Sequence, residues 1–152
     1  MTNQEIVLSA MRSQGKADAL SLRNRAPDMD GTALIAEEEK VPSFDPQKDY
    51  SGWPVGAPVA DEGQVWTLLA PYNAGQYAPH RPSTLRSQWG LAHTKDPHKA
   101  KPWVPSYGIS GMYKLGECYK DADGTVYRQI YDGDNEYPAS ALPERWEVVL
   151  VK

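Results

Sequence analysis

The sequence predicts a mainly β protein: two small three-stranded antiparallel modules in tandem, preceded by a short α-helical N-terminal arm. Two observations predict this organisation, a sharp change of composition and an internal repeat. All 15 aromatic residues (five Trp, nine Tyr, one Phe) lie at or after Phe44, and 12 of the 13 prolines lie at or after Pro42. Residues 1–43 are instead rich in residue types that favour helices. We therefore expect a domain boundary near residue 43.

The internal repeat consists of glycine, proline and aromatic residues in a shared order. A Ser-Gly pair, a Gly-x-Val-aromatic string and a final tryptophan occur at 51–52, 63–66 and Trp89, and again at 110–111, 124–127 and Trp146. Because such landmarks rarely share order and spacing by chance, we interpret residues 44–89 and 103–152 as two copies of one module. Residues 90–102, which contain no aromatic residue, are interpreted as the linker.

The arm, residues 1–43, begins with a capping box in which Thr2 and Glu5 bond reciprocally. Apolar residues at Ile6, Val7, Ala10 and Met11 share one helical face, and Gly15 is expected to interrupt the helix. Further helical segments are predicted at 17–25 and from 32 through the acidic run 37–39, which we interpret as a solvated face.

Two interpretations of the arm remain open at this point. Helices this short are marginal in isolation, so the arm is either a frayed tail or a docking arm. The apolar positions are patterned rather than scattered, which favours an arm that folds against a partner or against its own copies.

Each module is predicted to form three strands. In the second copy these are 113–119, 126–131 and 146–151, with a tight turn at 121–124, where Asp-Gly favours hairpin geometry. In the first copy they are 54–59, 65–69 and the region of Trp89, with a turn at 61–63. Modules this small are near the lower limit for a stable core, so we expect packing between copies or homo-oligomerisation to stabilise them.

The landmarks of the second copy resemble a known family. The string Tyr113-x-x-Gly116-Glu117, followed by Gly124-x-Val126-Tyr127, Pro138 and Trp146, is similar to the small chitin-binding type of carbohydrate-binding module found in bacterial chitinases and cellulases. Residues 101–117 also resemble modules encoded among the tail and baseplate genes of phages and prophages of Gram-positive bacteria. The module resemblance covers residues 44–152 and implies a carbohydrate-binding fold in a virion component.

The chain departs from the family pattern at one place. Chitin-binding members usually carry two adjacent exposed aromatic residues shortly after the position of Tyr127. Here Tyr131 is followed by Asp132, and the first copy has Ala70 and Pro71 at the matching positions. The missing pair argues against crystalline chitin and leaves weaker glycan contact open.

Glycan recognition requires aromatic faces for sugar C–H groups and planar polar side chains for hydroxyls. One loop in each module offers this mixture, so the candidate ligand-binding residues are Tyr131, Asp132, Asp134, Asn135 and Tyr137 in the second copy and Tyr72, Asn73, Gln76 and Tyr77 in the first. The alternative is that these tyrosines fill a core that is poor in Phe and Ile. That alternative is favoured for Tyr127, Trp146 and Trp66, whose strand positions repeat.

Several classes of function are disfavoured. A net charge of −4 and a pI near 5.3 argue against nucleic-acid binding. Neither a long apolar run nor a signal peptide is present, so we expect no membrane insertion and synthesis in a bacterial cytoplasm. Cys118 is the single cysteine, and the three histidines lack a suitably spaced nucleophile or a Cys pair. We therefore expect no enzyme, no catalytic residues, no cofactor and no metal site.

These observations and the resemblance together predict a non-enzymatic component of a phage or prophage tail. We expect the arm to dock on a tail fibre or baseplate protein and the modules to contact a cell-surface polysaccharide, in several copies on the virion. The alternative is a structural virion adaptor that uses the same modules for protein–protein packing.

Overall fold

The computed structural model describes residues 2–76 and 80–151, and in this part of the chain two helices precede two small sheets. Helix α1 spans Asn3–Arg25 and helix α2 spans Gly31–Ala36. The first sheet contains β1 (Pro58–Asp61), β2 (Gln64–Leu68) and β3 (Trp89–Leu91), and the second contains β4 (Lys101–Pro102), β5 (Cys118–Lys120), β6 (Val126–Gln129) and β7 (Trp146–Val149). Neither helix combines the length and hydropathy needed to cross a membrane.

Helix α1 starts where the sequence predicts and continues further than expected. The capping box is present, because the Thr2 hydroxyl accepts from the Glu5 N–H and the Glu5 carboxylate accepts from the Thr2 N–H. Gly15 was expected to interrupt the helix, and this prediction was wrong: one helix runs through it to Arg25. A single glycine costs a helix only about 1 kcal/mol, which the flanking turns can absorb.

The second half of the arm docks on the first sheet. Leu22 and Ala26, together with Leu34 and Ile35 of α2, form a buried cluster with Val41, Val65 and Ala92. Asp30 caps α2 by accepting from the Ala33 N–H at 2.8 Å. The arm is therefore anchored to its own chain from residue 22 onward, whereas residues 2–17 are exposed.

The first sheet is antiparallel in the order β1-β2-β3. Strand β1 begins at Pro58, later than expected, because the preceding residues form turns. The outer edge of β1 is covered by the end of the arm: the Phe44 N–H donates to the Ala60 carbonyl at 2.9 Å, and the Ala60 N–H donates to Pro42 at 2.8 Å. Rings dominate the core beneath this sheet, which contains Phe44, Tyr50, Trp66, Tyr72 and Trp89.

The second sheet differs from the three-stranded antiparallel module predicted for it. It has four strands in the order β4-β5-β6-β7, and β4 runs parallel to β5. The added strand comes from residues assigned to the linker, and it was not predicted because two residues give no periodic pattern. Pro102 lacks an N–H and can lie in β4 because that strand is at the edge of the sheet.

The rest of the predicted linker is packed against the arm and both sheets. His93 and Thr94 are buried. The Lys95 N–H donates to the Thr32 hydroxyl of α2 at 2.9 Å, and the Gln64 side chain of β2 donates to the Pro102 carbonyl of β4 at 2.9 Å. Residues 90–102 therefore connect the two sheets through direct contacts rather than as a free tether.

Candidate functional site

The structure places Tyr72 in the core of the first module, which corrects its assignment to a glycan-binding loop. The side chain is 7% exposed, and its hydroxyl accepts from the Trp89 indole N–H at 2.7 Å. Asn73 is half-buried and its side-chain oxygen accepts from the Gly75 N–H at 3.1 Å, so it shapes a local turn. Gln76 is exposed, and Tyr77 lies outside the described residues. This loop therefore does not offer the Tyr72 ring to a ligand.

The loop of the second module keeps two exposed tyrosines. Tyr131 is 40% and Tyr137 is 46% exposed, and Asp132 and Asp134 are exposed beside them. The Arg145 guanidinium lies 3.9 Å from the centre of the Tyr131 ring in a cation–π contact. Part of the Tyr131 ring is therefore already in contact with Arg145.

Asn135 is a structural residue of this loop, which corrects its assignment as a ligand contact. It is fully buried, and its backbone pairs with Tyr113 through hydrogen bonds of 2.9 and 3.0 Å. Its side-chain oxygen accepts from the Tyr137 N–H at 3.0 Å and from Arg145 at 3.3 Å. These contacts orient the loop and leave the amide turned away from solvent.

Gln129 holds the other side of the loop and was not predicted. It is fully buried at the end of β6, and its amide nitrogen lies within hydrogen-bonding distance of the carbonyls of Tyr113 (3.1 Å), Tyr131 (3.1 Å) and Gly133 (2.7 Å). Its position at the junction of a strand and a glycine-containing loop was the only sequence signal for this role. The loop conformation therefore depends on buried amides rather than on exposed rings.

A groove of about 850 Å³ in the second module is lined by part of the aromatic cluster of this module. We call it the aromatic groove. Four rings line it, together with three prolines and a polar rim: Trp103, Tyr119, Tyr127, Trp146, Pro102, Pro138, Pro143, Lys120, Asp121 and Ser140. Trp103 and Tyr127 are half-buried, whereas Tyr119 and Trp146 are buried. The groove was missed because three of its rings, those of Tyr119, Tyr127 and Trp146, occupy strand positions, where the sequence predicts core.

The rings of the aromatic groove are held by contacts with one another and with neighbouring residues. Tyr119 and Tyr127 stack with centroids 5.3 Å apart, and Trp103 stacks on buried Tyr113 at 5.0 Å. The Tyr119 hydroxyl accepts from the Ala139 N–H at 2.9 Å, and the Trp146 indole N–H donates to the Tyr137 carbonyl at 2.9 Å. The lining is therefore pre-organised, and the buried polar atoms named here already have partners.

Polar groups at the rim supply hydrogen-bonding partners of both kinds. Desolvation, together with the nearby Asp121 and Asp123 carboxylates, raises the pKa of Tyr127 further above neutral pH. Hydrogen bonds with Asp121 and Thr125 lower the pKa of Asp123, which lies outside the groove lining, to about 2. The Lys120 ammonium is exposed on the same rim.

A second, smaller cleft of about 470 Å³ separates α2 from the second module and contains His93 and Glu117. The His93 ring stacks on Tyr113 with centroids 3.7 Å apart, and its Nε2 lies 2.7 Å from the Gly111 carbonyl. Burial lowers the pKa of His93 to about 4 and raises the pKa of Glu117. Burial keeps the imidazole neutral, and the Gly111 carbonyl, which can only accept, fixes the ring proton on Nε2, so His93 acts as a buried donor.

In the part of the chain that the structure describes, no group of three or more His, Cys, Asp and Glu side chains is placed to hold a metal ion. A comparison with models of known protein families finds no match for the chain, and a comparison with curated proteins finds none either. The resemblance to carbohydrate-binding modules therefore stays a prediction.

Proposed function

We propose that the chain is a non-enzymatic, carbohydrate-binding component of a phage or prophage tail, part of a fibre or baseplate, that contacts a host cell-surface glycan through the aromatic groove of its second module. The observation that carries this proposal is the pre-organised aromatic lining bordered by Lys120, Asp121 and Ser140. A volume of about 850 Å³ is within the usual range for small-ligand sites.

The chemistry of the groove fits a short stretch of sugar rings. The C–H face of a pyranose packs on an aromatic surface, here Trp103 or Tyr127. Hydroxyls of the same ring would bond to the carboxylate of Asp121, the ammonium of Lys120 and the hydroxyl of Ser140, which can act as donor or acceptor. This assignment replaces the loop around Tyr131 as the primary contact and leaves Tyr131 and Tyr137 as secondary candidates.

The virion part of the proposal is supported by sequence resemblance alone. Residues 101–117, which resemble modules of tail and baseplate genes, include β4 and the segment that leads into β5. In this proposal the anchored half of the arm supports the first module, and the exposed half of α1 is available for assembly.

Retention of the purified protein on insoluble polysaccharides and Gram-positive cell walls tests the proposal. We expect Ser140→Trp to abolish retention, because an indole at this exposed rim position would fill the groove without removing a core ring. Tyr127→Ala removes part of the lining and is expected to weaken retention at least tenfold, provided that circular dichroism shows an intact fold.

Tyr107→Ala is the matched control, because Tyr107 is 59% exposed on a hairpin outside the groove lining. Its retention should equal that of the unmodified chain. Tyr131→Ala distinguishes binding at the groove from binding at the loop. If Tyr131→Ala loses retention and Ser140→Trp keeps it, the glycan binds at the loop around Tyr131. No retention of the unmodified chain on any wall or polymer would refute glycan binding.

A structural virion adaptor is the second candidate, and two observations favour it. Tyr72 is buried and Tyr131 is covered in part by Arg145, so the predicted sugar-stacking loops have fewer free rings than expected. An adaptor would use the aromatic groove for a protein segment, and Ser140→Trp would then impair assembly of the tail while the protein shows no affinity for glycans.

A further inference from the structure

Helix α1 carries a row of small and apolar side chains that passes from solvent into the core. Its members are three or four residues apart and therefore share one helical face, and we call them the α1 row: Leu8, Met11, Gly15, Ala19, Leu22 and Ala26. Leu22 and Ala26 are buried against the first sheet. Leu8 is 44% and Met11 is 65% exposed. The face that docks on the body at one end of α1 is thus uncovered at the other.

The uncovered part of α1 is long enough to need support. Residues 3–17 are all exposed, which corresponds to a helix of about 22 Å. An isolated helix of this length is marginal in water, and Ser9, Ser13 and Gly15 lower its propensity further. A second helix packed on the α1 row would supply the missing stabilisation.

The charges that flank the α1 row and the side-chain sizes within it are self-complementary when two helices run antiparallel. Two copies that cross at Met11 place Glu5 of one opposite residue 17 of the other, next to Lys16. Leu8 comes opposite residue 14 in the same way, next to Gly15. A Cβ at Gly15 would meet nothing within 4 Å, so the second copy's Leu8 has room to insert.

A parallel pair lacks this complementarity. It would place Glu5 level with Glu5 and Lys16 level with Lys16, so neither residue would have an opposite charge across the pair. Arg12 lies near Arg12 in both arrangements and does not distinguish them. It would also place the two Gly15 positions together, where neither supplies a side chain to fill the gap.

We propose that the α1 row is covered by α1 of a second copy of this chain, in an antiparallel, two-fold symmetric pair centred on Met11. Such an interface is isologous, so each residue contact occurs twice. The proposal does not depend on glycan binding. If the aromatic groove does bind a glycan, the pair would carry two grooves and gain avidity.

Sedimentation equilibrium over a range of protein concentrations tests the pairing. We expect the unmodified chain to show a monomer–dimer equilibrium, and Met11→Lys to raise its dissociation constant at least tenfold because a charge would be buried at the crossing. Ser13→Lys adds the same charge to the opposite face of α1 and should change the constant less than twofold. A chain that is monomeric at every concentration, or equal effects of both variants, would overturn the proposal.

Disulfide trapping tests the orientation. In an equimolar mixture of Leu8→Cys and Gly15→Cys chains under mild oxidation, an antiparallel pair should give mainly cross-links between position 8 and position 15. Cys118 is 2% exposed and is not expected to compete. A majority of 8–8 and 15–15 cross-links would show a parallel pair and contradict the proposed geometry.

Discussion

At the scale of single residues, His93 is the buried titratable group that joins the two modules. Its ring stacks on Tyr113 and its Nε2 donates to the Gly111 carbonyl. Burial is the main cause of its low pKa, and the nearby positive charge of Arg86 lowers the pKa further. The folded protein therefore holds His93 neutral at a pH where the unfolded chain would bind a proton.

The sign of the resulting pH dependence follows from that difference. The pKa of His93 is about 4 in the folded state and 6.5 in the reference state, so the unfolded chain binds more protons between these values. The free energy of unfolding should fall as pH is lowered from 6.5 to 4, by on the order of 3 kcal/mol from His93 alone.

His93→Gln keeps a donor for Gly111 but cannot titrate. Denaturant unfolding at pH 5 and pH 7 should show a smaller difference for His93→Gln than for the unmodified chain, and equal differences would contradict this account.

Single residues also show that the exposure of a side chain could not be predicted from the sequence. The sequence predicts that loop tyrosines and amides meet ligand, and it predicts that strand rings are core. The structure buries Tyr72 and Asn135 and leaves Tyr127 half-buried on a groove. Residue type sets what a side chain can do, but exposure depends on contacts between distant segments, such as the bond from the Trp89 indole to the Tyr72 hydroxyl.

At the scale of elements, the two halves of helix α1 differ: the second half packs on the first sheet, and the first half is exposed. Leu20 and Leu22 are two residues apart in α1 but differ sharply, since Leu20 is 46% exposed and Leu22 is fully buried. They form a matched pair for measuring how firmly the arm is attached.

We expect Leu22→Ala to lower the free energy of unfolding by about 2–5 kcal/mol, because it leaves a cavity between α1, α2 and the first sheet. Leu20→Ala removes the same atoms from an exposed position and should cost no more than about 0.5 kcal/mol. Urea unfolding followed by circular dichroism measures both. Equal, small effects would mean that the arm is a frayed tail, the interpretation that the cluster around Leu22 argues against.

Most elements could be predicted because their signals are local. The Thr2–Glu5 capping box and the Asp-Gly turn before β6 are each contained in a few neighbouring residues, and a helical N-terminal arm followed by two small sheets occurs in the structure. Strand β4 could not be predicted, because Lys101–Pro102 becomes a strand only by pairing with β5, 18 residues later. The boundaries of β1 and β5 shifted for a similar reason, since turns occupy the residues expected to start them.

At the scale of the whole molecule, the segment after β3 connects elements that the sequence treats as separate. The Ala92 N–H donates to Val65 of β2 at 2.9 Å, and the Cys118 N–H of β5 donates to the Thr94 carbonyl at 2.8 Å. Helix α2 lies against the same segment through the bond between Thr32 and Lys95. An internal repeat predicts two modules. It does not predict these contacts, because the segment that makes them lies between the two copies and is not itself repeated.

A substitution at Gly31 tests whether these contacts make the two sheets unfold as one cooperative unit. A Cβ at Gly31 would lie 2.1 Å from the His93 carbonyl oxygen, so Gly31→Ala must push α2 away from the segment that both sheets share. We expect a loss of about 1–3 kcal/mol, seen as an equal loss of hydrogen-exchange protection in β2 and β6. Gly52→Ala is the control, because a Cβ at Gly52 meets nothing within 4 Å. If protection falls in β2 while β6 is unchanged, the modules unfold independently and residues 90–102 act as the simple linker that the sequence predicts.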